Sequence, residues 1–281
     1  MALGVDTRSF LTDRTGITWS AFYNWEQPNR YPAYAGRYFD SSSSWTPGEF
    51  ASAKSATGGV LNKIVPLQAG NASREQQAGS IGHGYGDSDA RATCQQIVNA
   101  LNAGVLAIPP SRQIYVYLDV EANTALSVDY WAGWATAVYH YPAGSTYPFW
   151  PCIYGHYTKD PSNGRYSPDV AAALNSSYSN YPSDPTRCFG LWSSEPEPCS
   201  YCNPNASPDW SVFNPFSQSY GETAYPVPLL LYQFAEHGIL AQNSGCVYYC
   251  GRQDYAGGQN LDLDSDNSGN SGAQNYMLLI P

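Results

Sequence analysis

Short apolar runs recur along the chain, and each has the length of a β-strand rather than of a helix. Runs rich in β-branched and aromatic residues predict eight strands, at 3–7, 35–39, 63–69, 114–121, 151–157, 188–194, 229–235 and 260–264. The clearest run, IYVYLDVE at 114–121, stays apolar until its last residues. Such continuous apolar character is typical of strands that are covered on both faces.

Helical patterns occupy the stretches between several of these strands. The sequence TPGE at 46–49 predicts a capping box with proline at the first helical position. Apolar residues at helical spacing predict further helices at 89–104, 127–141 and 167–178. The last two begin with a serine, which is a favoured N-cap residue.

Strands that alternate with helices predict a parallel sheet and an α/β protein. Eight such units in 281 residues favour a (β/α)8 TIM-type barrel that forms one domain over 1–281. A doubly wound open sheet is the alternative. The Pro-, Ser-, Asn- and Cys-rich stretch at 195–228 is interpreted as an insertion in one loop of the barrel.

Acidic residues stand at the ends of three predicted strands. In a barrel of this type the active site lies at the carboxyl ends of the strands. Asp6 ends the first strand, Asp119 and Glu121 end the fourth, and Asp262 lies in the eighth. Residues i and i+2 of a strand point to the same side, and the first and eighth strands are neighbours once a barrel closes. The four acids are therefore predicted to converge.

Aromatic and polar residues accompany these acids. Paired carboxylates are the working groups of glycoside hydrolases, and aromatic rings suit sugar stacking, so the pattern favours a sugar-binding cleft. The alternative is that the acids cap helices or pair with arginine. His83 is placed in a glycine-rich loop, IGHGYGD at 81–87. The candidate substrate-binding residues are Tyr154, His156, Trp192, Tyr232, Gln233 and His83.

The charge balance narrows the choice of partners. A net charge of −10, from 13 Lys+Arg against 23 Asp+Glu, argues against nucleic acid and anionic membranes. No run approaches the roughly 18 apolar residues of a membrane span. The four histidines lack H-E-x-x-H spacing, so neither a catalytic metal nor another cofactor is predicted.

Cysteine usage and composition point towards export. The pairs Cys199/Cys202 and Cys246/Cys250 lie in loop-like segments, which favours disulfides in an oxidising compartment, with a structural zinc site as the alternative. Low lysine and high Ser, Asn and Tyr agree with an extracellular or cell-surface protein. The first residues lack the features of a signal peptide. Cys94 and Cys152 are expected to be small buried residues.

Several of these segments resemble one family. The motifs GVDT (4–7), YAGRYF (34–39), GDSDA (86–90), IYVYLDVE (114–121) and CIYGHY (152–157) resemble a bacterial family of glycoside-hydrolase-like proteins of unknown function. That family is related to the lysozymes of glycoside hydrolase family 25.

The resemblance implies a peptidoglycan or another amino-sugar glycan as substrate, with Glu121 as general acid. Asp119 would orient the N-acetyl group or stabilise charge, and Asp6 and Asp262 would line the cleft. Two positions depart from the lysozyme pattern: Tyr232 stands in place of Trp, and Asp264 in place of Asn. These departures and the Cys-rich insertion support an alternative function as a catalytically inactive glycan-binding module. The low charge and the Tyr- and Pro-rich loops support a further alternative, a self-assembling cell-surface module with subunit contacts at 195–259.

Overall fold

The structure is a computed structural model that contains both helices and strands. It describes residues 3–7, 11, 31–40, 45–120, 126–141, 147–155, 188–194, 229–235, 262–266 and 273–281. The β-strands are Leu3–Thr7 (β1), Tyr34–Tyr38 (β2), Lys63–Gln68 (β3), Ile114–Val120 (β4), Phe149–Gly155 (β5), Leu191–Ser194 (β6), Leu229–Ala235 (β7), Asp262–Asp266 (β8) and Leu278–Leu279 (β9). The helices are Pro47–Ala56 (α1), Ala72–Glu75 (α2), Gly79–Asn102 (α3) and Val128–Tyr139 (α4), with a 3-10 helix at Ala273–Tyr276.

All nine strands form one sheet in the order β2-β1-β8-β7-β6-β5-β4-β3-β9. The sheet curls so strongly that β2 pairs with β3 as well as with β1. Strands β1 to β7 run parallel to one another. Their carboxyl ends therefore lie along one edge of the curled sheet.

The predicted (β/α)8 TIM-type barrel is wrong. Every strand of that barrel is parallel, whereas β8 runs antiparallel to both β7 and β1. The described residues also contain four α-helices rather than eight, and β9 adds a second antiparallel strand on β3. An antiparallel neighbour can be reached without a crossover helix, so the position of β8 in the sheet does not require the strand-helix unit of a barrel. The protein remains α/β, as a curled sheet of seven parallel strands with two antiparallel additions.

Side chains alternate between the two faces of the curled sheet. On the outer face, Ile114, Val116, Leu118 and Val120 of β4 join the apolar core beneath the helices. On the inner face, Tyr115 and Tyr117 join a second cluster. The other members of this inner cluster are Tyr34, Tyr38, Val65, Leu67, Cys152, Tyr154, Trp192, Leu230, Leu231, Ala273 and Met277. The interior is therefore rich in tyrosine.

The predicted helices at 46–56 and 127–141 are confirmed as α1 and α4. Pro47 is the first residue of α1, and the backbone N–H of Thr46 donates to Glu49 Oε2 at 3.4 Å. Ser127 caps α4 by accepting a hydrogen bond from the backbone N–H of Tyr130 at 3.0 Å. The predicted helix at 167–178 and the insertion at 195–228 lie outside the described residues.

Helix α3 begins ten residues before the predicted start, and this moves His83 from the predicted loop onto the helix. The cause is close packing against α4. A Cβ atom on Gly86 would lie 2.7 Å from the backbone nitrogen of Trp134 and closer still to the carbonyl oxygen of Tyr130. Glycine lowers helix propensity, but here it lets two helix backbones meet. Tertiary packing therefore outweighs local preference.

Candidate active site

Asp119 lies near the end of β4, on the inner face of the curled sheet. Its side chain is only 4% exposed. The hydroxyl of Tyr38 donates a hydrogen bond of 2.9 Å to Asp119 Oδ2. Across the sheet, Asp119 is in register with Tyr154 of β5, which is in turn in register with Trp192 of β6. A buried carboxylate thus stands beside tyrosine and tryptophan residues.

Asp6 enters the same interior from β1 and is 3% exposed. It is in register with Gly36 of β2. A Cβ atom on Gly36 would lie 2.7 Å from Asp6 Cβ and 2.8 Å from the end of the Trp192 ring. Real Cβ atoms do not approach other atoms this closely, so glycine is required at position 36 for Asp6 and Trp192 both to pack against β2. The large indole therefore extends across the interior towards the acid on β1.

Trp192 is the centre of an aromatic cluster. Its ring meets Tyr117 edge-on, with centroids 5.7 Å apart, and meets Tyr154 at 4.8 Å with the planes tilted by 56°. The edge-on arrangement is a favoured geometry for aromatic pairs, and both centroid distances lie in the range of such contacts. Burial raises the pKa of the Tyr117 hydroxyl well above its ordinary value. The phenol therefore stays neutral at any physiological pH.

Because β8 runs antiparallel to β1 and β7, its first residue, Asp262, lies at the edge of the sheet where the parallel strands end. The backbone register pairs Asp262 with Asp6 and Asp264 with Gly4. On the other side of β8, Gln233 of β7 is in register with Asp264. The sequence placed Asp262 near Asp6 through a closed parallel barrel, whereas the structure brings their backbones together through an antiparallel pairing. Tyr232 lies on β7 in register with Ser265.

The structure does not bring all the predicted site residues together. Glu121 and His156 lie outside the described residues, although each comes shortly after a described strand. His83 is exposed on α3, where its backbone packs against Gly133 of α4. The prediction that His83 lies in a loop is therefore wrong, and its contact with substrate stays a prediction.

Sequence reasoning missed the residues that hold β2 in place. Arg37 lies on the outer face, 1% exposed, and pairs with the fully buried Glu49 of α1 at 2.7 Å. A second guanidinium nitrogen of Arg37 donates to the backbone carbonyl of Tyr38 at 2.9 Å. Glu49 also accepts a hydrogen bond from the backbone N–H of Leu11 at 3.0 Å. The alternation of YAGRYF was a usable signal, since it puts Arg37 and Tyr38 on opposite faces.

A second polar network lies outside the sheet, between β3 and the helices. Gln68 of β3 accepts from the Trp134 indole at 2.6 Å and donates to the Tyr130 hydroxyl at 3.2 Å. Tyr130 in turn donates to Asp89 at 2.9 Å, and Arg74 pairs with Asp89 at 2.5 Å. Burial is the largest influence on Asp89 and raises its pKa above the ordinary value, while Tyr130 and Arg74 oppose the rise. These bonds fasten α3 and α4 to the sheet.

Three cysteines lie in the part of the chain that the structure describes. Cys94, Cys152 and Cys188 are buried, and burial raises the pKa of Cys152. The four cysteines of the predicted disulfides lie outside the described residues.

Within the described ranges, no three His, Cys, Asp or Glu side chains are grouped closely enough for a metal ion. No helix in those ranges combines the length and the apolar character needed to cross a bilayer.

Comparison with known proteins gives likenesses of fold. No family model matches the chain, and no curated protein matches it. The crystal structure of an uncharacterised Bacillus stearothermophilus protein aligns with a TM-score of 0.54 and 16% identity, over 99% of this chain and 100% of that one. The catalytic domain of an endolysin from a bacteriophage of Listeria monocytogenes aligns with a TM-score of 0.47 and 9% identity, over 98% of each chain. The alignment with the Bacillus stearothermophilus protein shows a similar fold in another protein. The alignment with the endolysin domain is too distant to support an argument.

Proposed function

We propose that the protein is a glycoside hydrolase that acts on an N-acetylated glycan such as peptidoglycan. The observation that supports this most directly is the pair of buried carboxylates, Asp6 and Asp119. Both project into one aromatic interior at the strand ends. Carboxylates beside aromatic rings are the groups that glycosidases use to bind a sugar and to stabilise the charge that develops on it.

In this proposal Glu121 is the general acid. It follows β4 directly, two residues after Asp119, and strand alternation would give both side chains the same direction. Glu121 would protonate the glycosidic oxygen as the bond to the anomeric carbon breaks, and water would supply the hydroxyl of the new reducing end. Asp119 would accept a hydrogen bond from the N-acetyl group, while Asp6 and Asp262 would line the cleft.

The test is release of reducing ends from peptidoglycan and from N-acetylglucosamine oligomers. Glu121→Gln keeps the shape of the side chain but removes its acidic proton, so product formation should fall by about a thousandfold or more. Asp87→Asn is a matched control, because Asp87 lies on α3 and pairs with Arg91 one helical turn away. Wild-type protein that releases no product from any of a broad panel of glycans would refute the proposal.

Burial supports a second candidate function. Asp6, Asp119, Tyr154 and Trp192 are each 8% exposed or less, which leaves these side chains little contact with solvent. A catalytically inactive module that binds glycan through other residues would agree with such packing, and the departures at Tyr232 and Asp264 from the lysozyme pattern support it as well. It predicts saturable binding of N-acetylated glycans that Glu121→Gln leaves unchanged, with no product detected by mass spectrometry. In either case we propose an exported protein, on the basis of its low lysine content, its high Ser, Asn and Tyr content and its seven cysteines.

A further inference from the structure

The hydrogen bond between Tyr38 and Asp119 joins two strands that are not neighbours. Tyr38 belongs to β2 and Asp119 to β4, with β3 between them. Two strand spacings span about 10 Å, so only a long side chain can bridge them along the inner face. Leu67 of β3, in register with Tyr38 on one side and Tyr117 on the other, lies between the two strands. The Tyr38 hydroxyl reaches Asp119 Oδ2 at 2.9 Å.

Both partners of this bond have fixed backbones. Arg37 donates to the carbonyl of Tyr38 at 2.9 Å, and the next residue, Phe39, donates its N–H to the carbonyl of Leu67 at 2.8 Å. Asp119 is held in the ladder between β4 and β5. Gly70 lies so close to the carbonyl of Asp119 that a Cβ atom there would overlap it. The two side chains therefore meet without much freedom to move apart.

We propose that Tyr38 is a positioning residue for Asp119, whose carboxylate it keeps ionised and correctly turned for the substrate. This inference rests on the proposed function, because it gives Asp119 a task in binding the N-acetyl group. Tyrosine suits the task because its hydroxyl donates a hydrogen bond without adding a charge. A bond to an ionised acceptor is stronger than one between neutral groups.

The groups around Asp119 make such a donor useful. Tyr154 of β5 is its register partner, Asp6 shares the interior from β1, and Glu75 of α2 approaches Gly70, which packs on the Asp119 backbone. Burial and neighbouring acids both favour the protonated form of a carboxyl. A hydrogen bond donated to the carboxylate opposes both influences, so Tyr38 would keep Asp119 charged at neutral pH.

The first experiment follows the Asp119 carboxyl directly. Carbon-13 NMR of protein with labelled aspartate would give its pKa, and the Asp119→Asn variant would assign the resonance. Tyr38→Phe removes one oxygen atom and keeps the ring, so it should raise the Asp119 pKa by about one unit. Tyr34→Phe is the matched control, since Tyr34 is a buried tyrosine on the same face of the same strand. It should leave that resonance unchanged.

The second experiment measures kcat and KM for glycan hydrolysis against pH. The acidic limb of kcat/KM should move upward by about one pH unit in Tyr38→Phe, because Asp119 must be ionised to act. At the optimum, kcat/KM should fall about tenfold, because a misplaced Asp119 would hold the N-acetyl group less well in the transition state than wild-type Asp119 does. Loss of packing alone would lower the melting temperature and leave the pH profile in place.

The outcomes separate the two proposals. An active wild type with an unshifted Asp119 pKa and an unshifted acidic limb in Tyr38→Phe would overturn the role of Tyr38 and leave the hydrolase function standing. An inactive wild type would overturn the hydrolase function, and the NMR titration would still decide whether Tyr38 holds Asp119 ionised.

Discussion

Two glycines of α3 should respond in opposite ways to the same substitution. Gly84 and Gly86 lie two residues apart in α3. A Cβ atom on Gly84 meets nothing within 4 Å, whereas one on Gly86 would lie 2.7 Å from the Trp134 nitrogen and nearer still to the Tyr130 carbonyl. Alanine improves helix propensity over glycine by about 1 kcal/mol at either site. Gly84→Ala should therefore raise the free energy of unfolding by about 0.5–1 kcal/mol.

At Gly86 the steric cost exceeds that gain. The obstructing atoms belong to the α4 backbone, which cannot rotate aside like a side chain, and overpacking of this kind costs about 1–3 kcal/mol or more. Gly86→Ala should lower the free energy of unfolding by about 2 kcal/mol after the gain in propensity. The two variants should then differ by about 3 kcal/mol.

The measurement is urea unfolding followed by far-UV circular dichroism. The free energy of unfolding of each variant is calculated from its urea midpoint and the m value of the wild type. Gly84→Ala serves as the control for propensity, since it makes the same chemical change in the same helix. If Gly86→Ala unfolds at the same urea concentration as Gly84→Ala, then α3 and α4 do not meet as closely as described, and the explanation for the early start of α3 fails.

Two other predictions concern buried charge. Arg37→Met should lower the free energy of unfolding by about 3–5 kcal/mol, because it leaves Glu49 buried without its cation; a loss under 1 kcal/mol in thermal unfolding would contradict this. Asp89 has a folded-state pKa raised above 3.8, mainly by burial, so the folded protein binds more protons and Asp89 lowers stability as pH rises through that raised value. Asp89→Asn should flatten this part of the stability–pH profile, and an unchanged slope would contradict it.

Much of the sheet could be predicted from the sequence because its strands are buried on both faces. The predicted bounds of β1 and β7 agree with the structure, and the other predicted strands overlap β2 to β6 and β8. Strand direction could not be predicted in the same way. A run such as NLDLD has the same alternation read in either direction, so the antiparallel course of β8 depends on how its connection to β7 runs.

The residues of the candidate site could likewise be predicted only in part. Asp6 and Asp119 were identified because acids at the ends of apolar strands are conspicuous in a sequence. Their roles in catalysis stay predictions. Tyr38 was missed because its partner is 81 positions away, and no local pattern connects them. His83 was misplaced because glycines within a helix signal a loop unless the neighbouring helix is known.

The contacts that hold β2 in place connect the candidate site to a helix outside the sheet. Glu49 of α1 holds Arg37, Arg37 holds the backbone of Tyr38, and Tyr38 holds Asp119. A change in a helix on the outer surface of the sheet can thus reach a carboxylate on the inside through three successive contacts. Under the proposed hydrolase function, a genetic screen for lost activity would accordingly recover substitutions in α1 that touch no substrate. Variation in α1 among natural relatives would be a place to look for differences in pH optimum.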